Sequence, residues 1–263
     1  MRLATFLPPR AERALAGEVR GEHVVDFGEG ATVRALLAQE TIAPAAGRSW
    51  ALAEVELLAP VPDPLAIYGI GLNYAAHAAE TGAEPPEEPI VFAKMIGAVA
   101  PPGGPVVCPP VVRRLDYEGE LCVVIGAAGR IGGFTVADDV SARDLQRRER
   151  QWIRAKGADT FCPYGPWITT ADAVPDPQNL RLRTWVNGEE RQNSTTADLI
   201  FGPQACVDFI AQTCTLHPGD LILTGTPAGV GVFRDPQRLL QPGDEVTIEI
   251  DGLTSITNPV VAG

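Results

Sequence analysis

Apolar and polar positions alternate over most of this chain, and runs with helical spacing are short and few. Residues 2–7 and 18–25 carry short strand patterns, with Gly17 and Gly21 as turn residues. Thr32 is placed to cap a short helix running through Ala38, and residues 55–58 form another short strand. Pro60, Pro62 and Pro64 cannot continue either kind of element, so a boundary is expected there. It separates a small N-terminal domain, residues 1–60, from a larger one, residues 61–263. Residues 66–72 read as a buried strand, and a helix follows with Asn73 as its N-cap. Residues 81–89 are polar, acidic and proline-rich, which predicts a mobile loop before a strand over 90–94.

The stretch 115–126 begins with Asp116, Glu118 and Glu120 at alternate positions and ends in an apolar run. Gly132-Gly133 predicts a turn, residues 134–137 a strand, and residues 140–152 a helix with a capping-box-like start, Ser141-x-x-Asp144. A turn over 162–166 leads to a strand over 167–169. Asn187-Gly188 predicts a β-hairpin spanning 182–191. Residues 203–214 form an amphipathic helix with Ala205, Phe209 and Ile210 toward the core. A buried strand over 221–224 runs into the loop 225–231, and a last hairpin turns at Asp251-Gly252. The sum is a mixed, β-rich α+β protein.

Alternation puts Asp116, Glu118 and Glu120 on one face of a strand, where like charges repel. An exposed edge strand would show the same pattern. A divalent cation is the simplest compensation, and carboxylate oxygens suit magnesium, manganese or calcium. Asp138 and Asp139 stand at a strand end before a helix, another usual place for a ligand, and spacing does not choose between them. His77 and Glu80 lie three apart on one helix face, where a carboxylate fixes a histidine's tautomer and raises its basicity. Gly69-x-Gly71 is not a dinucleotide fingerprint, because Tyr74 stands at the third glycine. No His-Glu-x-x-His occurs, so the protein is not a zincin. Arg143, Gln146 and Arg150 share a helix side, while Arg147, Arg148 and Arg150 read as solvated or salt-bridged. The loop 225–231 offers backbone N–H groups and a hydroxyl to an anion, without the Gly-Lys-Ser/Thr of a nucleotide loop.

Composition narrows the function. With 263 residues, 45% of them hydrophobic, the chain buries a real core. A net charge of -12 repels nucleic acid. Five cysteines without a Cys-x-x-Cys exclude a zinc-thiolate site or a disulfide framework. No apolar run reaches membrane-spanning length, and the N-terminus is too short in apolar residues for a signal peptide. A soluble protein of a reducing, cytoplasmic compartment is expected.

The motifs are specific in combination. Asp116-Tyr117-Glu118-Gly119-Glu120-Leu121 is followed by Gly133-Phe134-Thr135-Val136-Ala137-Asp138-Asp139-Val140-Ser141-Ala142-Arg143-Asp144, then by His217-Pro218-Gly219-Asp220 and Thr224-Gly225-Thr226-Pro227-Ala228-Gly229. In this order and spacing the chain resembles the fumarylacetoacetate hydrolase family over about residues 63 to 260. The resemblance implies a mixed β-roll with flanking helices, usually a homodimer. It implies Glu118, Glu120 and Asp139 as ligands of magnesium or manganese, favouring Asp139 over Asp138. It places Lys156 near metal and substrate, Arg143, Gln146, Thr226 and Gly225 in the substrate site, and His77 and Glu80 as the dyad of acylpyruvase-like members. Gly119 departs from the family, whose members usually carry a β-branched apolar residue between the two glutamates.

The expected function is divalent-metal-dependent hydrolysis of a C–C bond in a 1,3-diketo acid such as an acylpyruvate. The metal would chelate the 2-oxo acid, and His77, oriented by Glu80, would activate water. Decarboxylation of oxaloacetate, or isomerisation or dehydration of 2-oxo acids, would use the same metal site. A non-catalytic 2-oxo acid binding protein is the reading from another class.

Overall fold

The alternating segments assemble into two large sheets and one of two strands, seen in a computed structural model that describes residues 1–263. The larger sheet has twelve strands, and its centre is the strand Gly119–Ile125. That strand pairs antiparallel with Ile131–Asp138 on one side and Leu221–Leu223 on the other. It is buried along its whole length, which is why its sequence becomes a continuous apolar run after Glu120. Leu221–Leu223 then pairs parallel with Ile67–Gly71, and Ile90–Lys94 forms the edge. The second sheet has five strands and contains the hairpin Arg181–Val186 and Glu189–Thr195. Asn187 and Gly188 turn that hairpin with φ of 52° and 77°, as Asn-Gly requires. The main apolar core draws on both sheets. The mixed, strand-rich architecture expected from the sequence is the one adopted.

The N-terminal strands belong to the same large sheet. Arg2–Leu7 pairs with Cys162–Thr170, and Leu15–Arg20 and His23–Asp26 extend the sheet outward. A small second core of Ala4, Phe6, Val19 and Val24 lies beneath them. Thr32 caps the helix Val33–Leu37 as expected, its hydroxyl accepting from the Ala35 N–H at 3.1 Å.

Several local expectations are corrected. Gly17 sits inside a strand opposite Asp26, and Gly21 makes the turn alone. Gly132 and Gly133 are also strand residues. A Cβ on Gly132 would stand 2.8 Å from the Gly126 Cα, so this glycine permits a close chain crossing and Ala127–Gly129 does the turning. The expected helix over 140–152 is broken. Ser141–Ala142 pairs with Leu115–Asp116, and only Arg143–Arg148 and Ile153–Lys156 are helical. The Ser141 hydroxyl donates to the Asp139 carbonyl at 2.8 Å and caps nothing. Residues 162–166 form one strand with 167–170. The helix Pro203–Ala211 buries Cys206, Val207 and Ile210 and leaves Ala205 exposed.

Asn73 is not the N-cap of the helix Ala75–Thr81; Tyr74 holds that position without a side-chain bond. Asn73 is instead fully buried and donates to the carbonyls of Phe201 at 2.9 Å and Thr224 at 2.7 Å. Its own oxygen accepts from the Phe201 N–H at 2.8 Å. Asn73→Ala strands three backbone groups, each costing about 1–3 kcal/mol when buried and unmet. A loss of about 3 kcal/mol or more is expected in the unfolding free energy measured by urea titration.

Candidate functional site

The antiparallel register Gly119↔Asp138 lays the start of one central strand beside the end of its neighbour. Glu118, Glu120 and Asp139 converge there, and one ligand oxygen from each lies within 4.8 Å of the others. All three are buried. Asp116 is not part of this group, which corrects the shared-face expectation. The strand breaks at Tyr117-Glu118, so the alternation ends before Asp116. Its carboxylate accepts from Arg143 Nε at 2.8 Å and from the N–H groups of Gly231 at 2.8 Å and Val232 at 3.0 Å. Asp138, the alternative to Asp139, is turned to the backbone: its Oδ1 accepts from the Glu118 N–H at 2.8 Å.

Buried cations surround the acids. Arg143 Nη1 reaches Glu118 Oε1 at 2.7 Å, and Lys156 Nζ reaches Glu118 Oε2 at 2.5 Å and Asp139 Oδ2 at 2.7 Å. Lys94 pairs with the other Asp139 oxygen. No local signal marks Lys94, a lysine at a strand end whose partner lies 45 residues on. Asp116, Glu118, Glu120, Asp138 and Asp139 face Lys94, Arg143 and Lys156: five buried acids against three buried bases. Two negative charges stay uncompensated when all five acids ionise. An all-oxygen donor set with that excess fits a hard divalent cation.

The acids divide electrically. Burial pushes the Glu118 carboxyl up, but Arg143, Lys156 and His77 together outweigh it and hold it below the ordinary range. Burial, with Asp139 and Glu118 alongside, pushes Glu120 well above that range. Burial lifts Asp138 to about 7. Groups raised on folding stabilise the protein below their unfolded values, 4.5 for Glu120 and 3.8 for Asp138, and that contribution is lost as pH rises through the folded values. Glu118 acts oppositely, losing its contribution only as pH falls below 4.5. With metal chelated, the melting temperature is therefore expected to fall between pH 4 and pH 7 and beyond. With manganese added, the slope should flatten, because a bound cation needs Glu120 ionised.

His77 and Glu80 form the expected pair: His77 Nδ1 lies 2.7 Å from Glu80 Oε1. The Gly229 N–H donates to both Glu80 oxygens, at 3.1 and 3.3 Å. The helix Ala75–Thr81 thereby docks on the loop 225–231. A cavity of about 290 Å³ opens among His77, Glu118, Glu120, Arg143, Gln146, Lys156 and Thr226. Phe92, Trp152 and Phe233 supply apolar walls. Asp139 lies behind this wall, and Gly225 is turned away, its N–H donating to Glu120 Oε2 at 2.6 Å. The amides of the 225–231 loop thus serve protein carboxylates instead of a free anion. Arg147, read as solvated, also lines the mouth, one helical turn beyond Arg143. A larger cleft of about 510 Å³, bordered by residues 37–42 and 130–132, gathers no comparable cluster of acids and bases.

Comparison with known proteins shows the family. The C-terminal domain of fumarylacetoacetate hydrolase matches residues 66–261. A Bos taurus protein named mitochondrial oxaloacetate tautomerase FAHD2A is 46% identical over 220 residues, 79% of this chain and 70% of its own. The structure of 2-hydroxyhepta-2,4-diene-1,7-dioate isomerase from Mycobacterium marinum superposes with a TM-score of 0.82 at 38% identity, covering 100% of this chain and 98% of that one. Maleylpyruvate hydrolase from Sphingobium sp. SYK-6, solved with manganese(II) and pyruvate, gives 0.79 at 31% identity over 100% of both chains. The chain belongs to the fumarylacetoacetate hydrolase family. It is an enzyme of a family whose named members include a tautomerase, an isomerase and a hydrolase. The cytoplasmic expectation does not stand, because the bovine relative and its rat and human counterparts are named as mitochondrial. No helix is long and apolar enough to cross a membrane.

Proposed function

We propose that this chain moves a proton at the carbon beside a 2-oxo group, interconverting the enol and keto forms of a small acid such as oxaloacetate. The observation that carries the reading is His77, held by Glu80 on its Nδ1 side, lining one small cavity with Glu118 and Glu120. Glu80 occupies His77 Nδ1, so Nε2 is the nitrogen left to exchange a proton with substrate. Glu118, Glu120 and Asp139 would hold magnesium or manganese. A bound cation supplies Lewis-acid stabilisation for negative charge developing on the 2-oxo oxygen. Arg143 Nη2 is buried and has no partner within the chain, and a substrate carboxylate would meet that need. Lys156 adds positive charge, Gln146 a side-chain amide beside Arg143, and Phe92, Trp152 and Phe233 exclude bulk water.

Hydrolysis of an acylpyruvate is the second reading, supported by the likeness to the Sphingobium hydrolase. It asks His77 to activate a water and uses every other group unchanged. Turnover of oxaloacetate and acetylpyruvate, side by side with manganese and with chelator, separates the two. Metal-dependent loss of the oxaloacetate enol absorbance without carbon dioxide supports proton transfer. Acetate and pyruvate from acetylpyruvate would favour hydrolysis, carbon dioxide from oxaloacetate a decarboxylase, and no turnover of either a larger substrate.

A further inference from the structure

Gly119 stands between two candidate metal ligands and lacks a side chain, and the space it leaves is filled. A Cβ there would lie 2.3 Å from Thr184 Oγ1 and 3.3 Å from Gln192 Oε1. Gln192 is 1% exposed and comes from the five-stranded sheet, far in sequence from both segments it joins. Its Oε1 accepts from the Gly119 N–H at 3.0 Å. Its Nε2 donates to Thr226 Oγ1 at 2.7 Å and to the Pro227 carbonyl at 2.9 Å. The orientation of this amide is fixed at both ends, since a backbone N–H only donates and a backbone carbonyl only accepts.

The consequence falls on Thr226, which lines the cavity. Its hydroxyl accepts one hydrogen from Gln192 and gives its own to the Gly119 carbonyl at 3.0 Å. A hydroxyl has one hydrogen and two lone pairs. One lone pair is all that Thr226 has left. We propose that Gln192 is a positioning residue that holds Thr226 as an acceptor-only oxygen, so the cavity selects a substrate form carrying a hydroxyl, such as an enol, over its carbonyl form at that point. The proposal rests on the proton-transfer reading for its biological sense, but its hydrogen-bond logic is independent of turnover.

The test is binding to the manganese-loaded chain by calorimetry, with tartronate and malonate, three-carbon diacids with and without a hydroxyl. Wild type is expected to prefer tartronate. Metal chelation by the tartronate hydroxyl is common to all variants, so the change in the ratio reports on Thr226. Gln192→Met should lower the tartronate-to-malonate ratio about fivefold, the size of one hydrogen bond, and Thr226→Val should lower it at least as far. Thr184→Val is the control, because the Thr184 hydroxyl is buried in the same cluster without a partner. It should leave the ratio unchanged. An unchanged ratio in the Gln192 variant, with both acids weakened equally, would reduce Gln192 to a structural role and overturn the proposal. So would a wild type that binds neither acid. Failure of the proton-transfer reading would appear separately, as an oxaloacetate enol that persists with wild type.

Discussion

Glu118→Gln is expected to abolish metal-dependent turnover, lowering the rate by at least about 10³-fold, because Lewis-acid stabilisation is worth several kcal/mol. Both Glu118 oxygens are engaged inside the protein, one by Arg143 and one by Lys156. The amide keeps the shape but turns an NH₂ donor toward one of these cations and removes the charge that balanced them. Leaving a buried partner uncompensated costs about 3–5 kcal/mol. The variant should therefore unfold at lower urea concentration and lose manganese affinity by more than about 100-fold, beyond the effect of losing an outer-shell partner. Calorimetric titration with manganese and a urea midpoint measure the two effects independently. Retained manganese affinity would remove Glu118 from the ligand set.

His77→Ala separates chemistry from metal binding. General acid–base catalysis contributes about 10²–10⁴-fold, and a loss of that size is expected in the rate. Manganese affinity should stay unchanged, because His77 is not among the converging oxygens. Glu80→Gln should cost less, about 10–100-fold, since it weakens the orientation of His77 without removing the base. Glu80 is held from the other side by the Gly229 amide, so its carboxylate keeps its place when His77 is gone.

The parts of the site legible in the sequence are those written in short-range spacing. Glu118 and Glu120, two apart where the central strand begins, and His77 and Glu80, three apart on a helix, required only local periodicity. The Asn187-Gly188 hairpin was legible for the same reason. Asp116 shows where that reading stops. The spacing holds, but the chain breaks at Tyr117-Glu118, and the pairing of Leu115–Asp116 with Ser141–Ala142 that causes the break is a tertiary fact. The same pairing cuts short the helix expected from residue 140. Family likeness favours Asp139 over Asp138, and the physical reason is visible only in the fold, where Asp138 is spent on the Glu118 N–H. Lys94 and Gln192 left no local signal. Each is a common residue in an ordinary strand, and each acquires meaning from partners 45 and 73 residues away. The glycine-rich loop was legible as a source of amides, but not that Glu120, Glu80 and Asp116 would use them.

The most direct measurement is deuterium uptake at C3 of oxaloacetate in D₂O, followed by proton NMR against the uncatalysed rate. The account expects uptake accelerated by the manganese-loaded chain, abolished by chelator and by Glu118→Gln, and lost in His77→Ala while manganese stays bound. Uptake at the uncatalysed rate with the manganese-loaded wild type, or acceleration that survives His77→Ala undiminished, would contradict proton transfer by the His77–Glu80 pair.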